Sequence, residues 1–195
     1  MKAATPLNTF FAAALVAPSF HDGFLAARST EKTSINWSGA VVQGQNISGV
    51  TATFPVLDTK IPKVNETGKH AYQGMTWIGI EYPDPPVFVD VGDISAGDII
   101  KVALDAPSRT QASPLCMSSA EWIVERAYSL SGLVGLIDFG TEAISDITYT
   151  AGGELHTSIP DDVTIVNIIN DEDNNVQQTS TEVSGNTVKV TYLGS

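Results

Sequence analysis

The chain has 195 residues, of which 43% are hydrophobic and 16% charged, a composition typical of a globular domain and not of a disordered chain. Its formal net charge is -12 and its pI is about 4.4, so its electrostatic field repels phosphate backbones and argues against nucleic acid as a partner. The acidity fits a protein that works at low pH, where fewer carboxylates repel one another, although solubility alone would explain it equally well.

Residues 1–20 have the pattern of a secretory signal peptide. Lys2 supplies a basic start, and the apolar run 10–17 is too short to span a bilayer but suits the core of a signal peptide. No later segment is long and apolar enough to cross a membrane. Residues 21–35 are mostly polar and predict a linker or a propeptide remnant, followed by one domain over residues 36–195. We therefore expect a secreted, extracellular protein.

Two further features bear on this expectation. Three Asn-x-Ser/Thr sequons begin at Asn36, Asn46 and Asn65, and together with the leader they favour the secretory route. Secreted chains usually pair their cysteines, whereas Cys116 is the single cysteine of this sequence. A free, buried thiol is the simplest explanation.

From residue 36 onward, short β-rich runs alternate with Gly, Pro, Asn and Asp. The predicted strands are, in chain order, Trp37–Gln43, Val50–Val56, Met75–Ile80, Val87–Val91, Asp98–Asp105, Leu133–Phe139, Ala143–Tyr149, Val163–Ile169, Val176–Val183 and Thr187–Tyr192. Ser184-Gly185-Asn186 predicts a hairpin turn between the last two. Many short strands with frequent turns predict an all-β fold, an antiparallel sandwich or barrel.

The segment from Ser118 to Leu130 is ambiguous. Ser118 and Glu121 fit a helix capping box, and an apolar stripe at helical spacing follows them. As a strand, the same segment would place Glu121 and Glu125 on one face and Trp122 on the other. The β-rich surroundings favour the strand.

Glu121 and Glu125 are the candidate reactive groups, because they flank Trp122 in an apolar run. Burial would raise the pKa of such a carboxyl and suit it to proton transfer in acid, whereas exposure on a half-buried strand would leave it ordinary. The sequence has neither a phosphate-binding Gly-rich loop nor a Gly-x-Ser-x-Gly elbow. Its histidines lack ligand spacing, so we predict no metal site. They are His21, His70 and His156.

A family resemblance runs along most of residues 36–192. Residues 120–125 (Ala-Glu-Trp-Ile-Val-Glu), followed by Asp138-Phe139-Gly140-Thr141, resemble motifs of the glutamic peptidases, or eqolisins, of fungi. The further matches follow the family's order, and they are Asn36-Trp37-Ser38-Gly39-Ala40, Val50-Thr51-Ala52-Thr53-Phe54, Trp77-Ile78-Gly79-Ile80, Tyr82-Pro83-Asp84 and Gly97-Asp98-Ile99-Ile100-Lys101-Val102.

The resemblance implies a concanavalin-like sandwich of two antiparallel sheets. It also implies a secreted acid endopeptidase that cuts proteins or peptides without metal or cofactor, and we expect a monomer. In the family, a glutamate activates water and a glutamine stabilises the tetrahedral intermediate. On the matching motif Glu121 takes the role of the glutamate. Trp37 and Trp77 match tryptophans that line the family's cleft, although core packing would explain each equally well. Glu81 and Glu125 complete the predicted substrate-binding set.

The sequence departs from the family after Trp77-Ile78-Gly79-Ile80. The family's glutamine lies a short way beyond this motif on a strand of its own, whereas here the motif runs directly into Glu81-Tyr82-Pro83-Asp84. The resemblance therefore implies an internal deletion that removes a hairpin with the glutamine and leaves an incomplete sandwich. Neither Gln73 nor Gln111 matches the lost residue. The same deletion would remove the partner of Cys116.

Three interpretations stay open at this point. The chain is an acid endopeptidase with reduced activity, since losing one oxyanion donor typically costs a factor on the order of 10²–10³ in rate. Alternatively, it is a non-catalytic concanavalin-like module that binds a peptide or a glycan. The third interpretation is a mis-spliced copy of an intact gene, which transcripts across Ile80 and Glu81 would reveal.

Overall fold

The computed structural model describes residues 29–63, 71–80, 94–105, 117–129, 132–171 and 174–194, and the backbone of residues 11–14. All the regular elements within these ranges are β-strands. In chain order they are β1 (Phe11–Ala14), β2 (Thr30–Ser34), β3 (Trp37–Gln43), β4 (Ile47–Pro55), β5 (Tyr72–Gln73), β6 (Met75–Ile80), β7 (Ile99–Asp105), β8 (Ser119–Glu125), β9 (Tyr128–Ser129), β10 (Gly132–Leu133), β11 (Gly135–Leu136), β12 (Thr141–Ala151), β13 (Glu154–His156), β14 (Thr164–Asn170), β15 (Val176–Gln177), β16 (Thr179–Ser184) and β17 (Thr187–Tyr192).

The strands form two large sheets. The first sheet has the order β1-β6-β8-β3-β14-β15, and β2 also pairs with β14. Its pairings are antiparallel except for β1 with β6 and β2 with β14. The second sheet is antiparallel throughout, with the order β16-β17-β12-β4-β7 and β13 on β12. Two short ribbons, β9 with β10 and β5 with β11, lie outside them.

The main core contains apolar side chains from both sheets. Because side chains alternate along a strand, Trp122 and Val124 of β8 point to the inner face of the first sheet, where they join residues such as Phe54 and Ile144 of the second sheet. The Trp122 indole N–H donates to the carbonyl of Thr51 at 3.3 Å, which satisfies its polar atom inside the core. This packing holds the two sheets together as a sandwich.

A second apolar cluster lies on the outer face of the first sheet, the face turned away from the second sheet. It contains Trp37 and Val41 of β3, Trp77 of β6, Ile123 of β8 and Val166 of β14. The central strand β8 is therefore buried on both faces, and its seven residues are all buried.

The predicted all-β antiparallel sandwich is confirmed. The predicted bounds of β3, β6 and β17 agree with the structure, and Gly185 and Asn186 form the two-residue turn between β16 and β17. The ambiguous segment forms strand β8, so the helical alternative is wrong. The predicted strand Val87–Val91 lies outside the described residues.

Two long predicted strands are divided in the structure. The run Leu133–Phe139 changes partner repeatedly, from β9 to β5 and then to an isolated bridge between Asp138 and Lys60. The run Val176–Val183 breaks at Gln178, because Val176 and Gln177 pair with β14 in the first sheet whereas Thr179 begins β16 in the second. Apolar and β-branched composition predicted both runs, but it does not show where a chain changes sheets.

Two segments predicted to precede the domain contain strands. Thr30–Ser34, placed by the sequence in the linker 21–35, pairs in parallel with Thr164–Ile168 of β14. Its residues alternate between half-buried and exposed, and pairing with β14 holds it in an extended conformation. Phe11–Ala14, within the predicted leader, pairs with Met75–Ile78 of β6. Removal of the leader stays a prediction.

Glu142 is a fully buried carboxyl between the sheets, with no exposed surface. Its Oε2 accepts a hydrogen bond from the Thr76 hydroxyl of β6 at 3.2 Å, and within the described chain its Oε1 has no hydrogen-bond partner. Burial raises the pKa of Glu142 from 4.5 to about 8, although hydrogen bonds from Thr76 and the Ala143 backbone oppose the shift. The carboxyl group is therefore neutral in acid, and a neutral group is far less costly to bury than a charged one.

This burial makes stability depend on pH. The folded pKa of Glu142 lies above the unfolded value, so its contribution is complete below about pH 4.5 and is lost as the pH rises to about 8. The loss accumulates at about 1.4 kcal/mol per pH unit and reaches roughly 5 kcal/mol. We expect Glu142→Gln to remove most of this pH dependence, measured by urea unfolding at about pH 4 and about pH 8. The exposed Glu154→Gln is the control, and an unchanged pH dependence in Glu142→Gln would contradict the expectation.

Candidate active site

The outer face of the first sheet carries both candidate glutamates. Glu121, Ile123 and Glu125 alternate along β8 and share this face, as the strand interpretation predicts. Glu125 lies opposite Trp37 of β3, and Ile123 lies opposite Trp77 of β6. Four residues of strand separate the two glutamates by about 13 Å, so they are not a carboxyl pair that shares one proton.

Glu125 lies between two indole rings. The Trp77 indole N–H donates to Glu125 Oε2 at 2.8 Å. The ring of Trp37 meets that of Trp77 edge to face, with centroids 5.6 Å apart and an interplanar angle of 79°. Trp37 and Trp77, both predicted as substrate-binding residues, are thus brought together at Glu125.

Glu125 combines burial with a polar contact. Its exposed fraction is 9%, and burial raises its pKa above 4.5, while hydrogen bonding by the side chains of Trp77, Trp37 and Asn36 opposes the rise. A carboxyl group in these surroundings keeps its proton to a higher pH than a free glutamate does. A raised pKa of this kind suits a carboxyl group to proton transfer in acid.

Glu121 has a different environment. Its exposed fraction is 4%, and the Ser119 hydroxyl, two residues earlier on the same strand, donates to its Oε1 at 2.9 Å. Its neighbours across the sheet are Val41 and Gly79. The role of Glu121 as the catalytic glutamate stays a prediction.

Gly39 lets β3 approach β8 closely beside this site. A Cβ atom at Gly39 would lie 2.0 Å from the Trp122 carbonyl oxygen, far inside contact distance, so any side chain there would push the strands apart. The register that sets Trp37 opposite Glu125 therefore depends on a glycine two residues after Trp37.

Arg126 anchors the end of β8 directly after Glu125. Its side chain is almost fully buried, and its Nε donates to the Val134 carbonyl at 2.5 Å while Nη1 donates to Gln178 Oε1 at 3.3 Å. Its backbone N–H donates to the carbonyl of Asn36 at 2.7 Å. Arg126 thus anchors the chain next to Glu125, and no local sequence pattern predicts these contacts.

The sequence did not single out Ser34, and it placed Asn36 in a sequon and in a family motif but not among the site residues. The Ser34 hydroxyl donates to Asn36 Oδ1 at 3.0 Å and accepts the backbone N–H groups of Asn36 and Trp37. The available signal was the spacing Ser-x-Asn before a strand, which is typical of a side-chain-capped turn.

Several predicted features lie elsewhere. Glu81, Gln111 and Cys116 are outside the described residues, and Gln73 lies on β5, paired with Leu136 of β11.

Within the described ranges, no three His, Cys, Asp or Glu side chains are placed to hold a metal ion. No helix of the described chain has the length and apolar character needed to cross a membrane.

Comparisons with known proteins agree on one family. The sequence model of the Peptidase A4 family matches residues 35–85 and 108–192. Aspergillopepsin-2 of Aspergillus niger is 28% identical over 234 residues, covering 87% of this chain and 81% of the relative. That alignment is longer than the 195-residue chain, so it contains segments of the relative that this chain lacks. The predicted internal deletion agrees with this partial coverage.

Solved structures show the same fold. Scytalido-glutamic peptidase with a peptide-based transition state analogue has a TM-score of 0.63 at 23% identity. SCP-B, a member of the eqolisin family, in complex with the tripeptide Ala-Ile-His has a TM-score of 0.63 at 24% identity. Each match covers 81% of this chain and 98% of the other.

The indole contact leads to a prediction for Trp77→Phe. Because the Trp77 N–H stabilises the charged form of Glu125, its loss should raise the pKa of Glu125 further. A pH titration of the Glu125 carboxyl carbon by NMR measures this shift. Trp122→Phe, which changes an indole on the opposite face, is the control and should leave the pKa unchanged. An unchanged or lower Glu125 pKa in Trp77→Phe would refute the assignment.

Proposed function

Because the chain belongs to the Peptidase A4 family, we propose that it is an endopeptidase that works in acid, with the Glu125 carboxyl group as its proton carrier. The observation that carries this choice is the Trp77 N–H bonded to Glu125 Oε2 on an otherwise apolar face. Burial favours the neutral form of the Glu125 carboxyl group, and the Trp77 N–H stabilises its charged form.

The chemistry needs one carboxyl group in two successive roles. As a carboxylate, Glu125 takes a proton from a water molecule whose oxygen attacks the carbonyl carbon of the peptide bond. The carbonyl electron pair moves to oxygen and gives a tetrahedral intermediate. As an acid, Glu125 then returns the proton to the amide nitrogen while the C–N bond breaks. Its raised pKa suits both steps in acidic solution.

Glu121 is the alternative proton carrier, as the family motif suggests. The Ser119 hydroxyl on the same strand donates to Glu121, whereas the side chains of Trp77, Trp37 and Asn36 stabilise the charged form of Glu125. A substrate that contacts Glu125 would lie along β8 and could reach Glu121 about four residues away. Glu121 then fits a substrate-binding role better than a catalytic one.

The setting of this activity is also a proposal. The leader-like residues 1–20, the three sequons and the low pI support a secreted enzyme that acts on proteins or peptides outside the cell, and we propose that it is a monomer. Glu81 remains a proposed substrate-binding residue. The non-catalytic binding module is the competing function, and it predicts peptide or glycan retention without turnover.

Two matched variants test the proposal. We expect Glu125→Gln to lower acid proteolysis by a factor on the order of 10²–10⁴, because a carboxamide cannot carry the proton. Glu121→Gln should keep kcat near that of the parent and change mainly KM. The measurement is cleavage of a denatured protein across a series of acidic pH values, followed by mass spectrometry.

The opposite pattern, with Glu121→Gln inactive and Glu125→Gln active, would contradict the proposal. It would show that Glu121, the glutamate indicated by the family motif, carries the proton. If the parent chain binds peptides but never cleaves them, the peptidase proposal is wrong and the non-catalytic binding module is supported.

A further inference from the structure

Peptide hydrolysis at Glu125 also needs a donor for the oxygen that becomes negative in the tetrahedral intermediate. The described side chains that lie near Glu125 and stabilise its charged form are those of Trp77, Trp37 and Asn36. Each indole has a single N–H, and that of Trp77 is directed at Glu125 Oε2. A carboxamide has two N–H bonds, so Asn36 can contact Glu125 and still offer a donor to a substrate.

The orientation of the Asn36 carboxamide is fixed by its neighbours. The Ser34 hydroxyl donates to Asn36 Oδ1 at 3.0 Å, so the oxygen faces Ser34 and the amide nitrogen faces the other way. The backbone of Asn36 is held at both ends, because its N–H donates to Ser34 Oγ at 3.2 Å and its carbonyl accepts the Arg126 N–H at 2.7 Å. Asn36 is therefore a preorganised donor beside Glu125.

We propose that the Nδ2 group of Asn36 is the oxyanion donor of this site. This inference rests on the proposed function. When the water oxygen bonds to the carbonyl carbon and Glu125 takes the proton, the carbonyl oxygen gains the electron pair and accepts an N–H from Asn36. When the intermediate collapses, that pair re-forms the carbonyl bond and the Glu125 proton passes to the leaving nitrogen. The carboxamide stays neutral in acid and keeps both of its N–H bonds throughout.

The same residue begins the sequon Asn36-Trp37-Ser38. A glycan bonded to Nδ2 would replace one N–H and fill the space beside Glu125. Trp37 and Ser38 are both buried in β3, which leaves the sequon poorly presented to a modifying enzyme. The proposal therefore requires that Asn36 carries no glycan in active protein made by a glycosylating host. Peptide mass spectrometry of that protein measures whether Asn36 is glycosylated.

Kinetics of the full chain test the donor role. Asn36→Ala should lower kcat by a factor on the order of 10²–10³ and leave KM within a few fold. Asn36→Asp keeps the side-chain size but removes the N–H donors, so its kcat should also fall. This second variant keeps the test valid if Asn36→Ala does not fold. Asn46→Asp, at an exposed asparagine of another sequon, makes the same charge change and should keep parental kcat.

The outcomes separate the two proposals. If Glu125→Gln is inactive and both Asn36 variants keep parental kcat, the peptidase stands and the donor role of Asn36 is overturned. If the parent shows no hydrolysis, both proposals fail. A glycan on Asn36 in active protein overturns the donor role alone.

Discussion

Strand β8 is buried on both faces although it carries two glutamates, and the alternation of side chains along it organises the rest of the structure. Trp122 and Val124 turn inward and join the two sheets through their core. Glu121 and Glu125 turn outward among apolar residues, where burial of a carboxyl group is costly unless it is protonated or hydrogen-bonded. Glu125 meets that requirement through the Trp77 indole, and this contact is the basis for proposing Glu125 as the proton carrier.

The fold was predictable from sequence because most strands are short, apolar or β-branched, and bounded by turn residues. The site was only partly predictable. Period-two alternation places Glu121 and Glu125 on the same face, so the strand pattern cannot separate them. The distinction comes from partners on other strands, Trp37 on β3 and Trp77 on β6, and a single sequence does not specify cross-strand register.

Other features depend on contacts far apart in the chain. Glu142 is an unremarkable polar residue in the sequence, yet the sandwich places it opposite Thr76 with no exposed surface. Arg126 has no local signal for burial, because its partners Val134 and Gln178 belong to irregular segments. Thr30–Ser34 is polar enough to predict a linker, and it becomes a strand through its pairing with β14.

We propose that this shortened member of the Peptidase A4 family uses the Glu125 carboxyl group, which is held by residues of β3, β6 and the end of β8. A crystal structure of the full chain with a peptide-based transition state analogue tests that claim most directly. The tetrahedral hydroxyl of the analogue should lie within hydrogen-bonding distance of the Glu125 carboxyl group. An analogue bound with that hydroxyl at Glu121, away from Glu125, would contradict the assignment of the site.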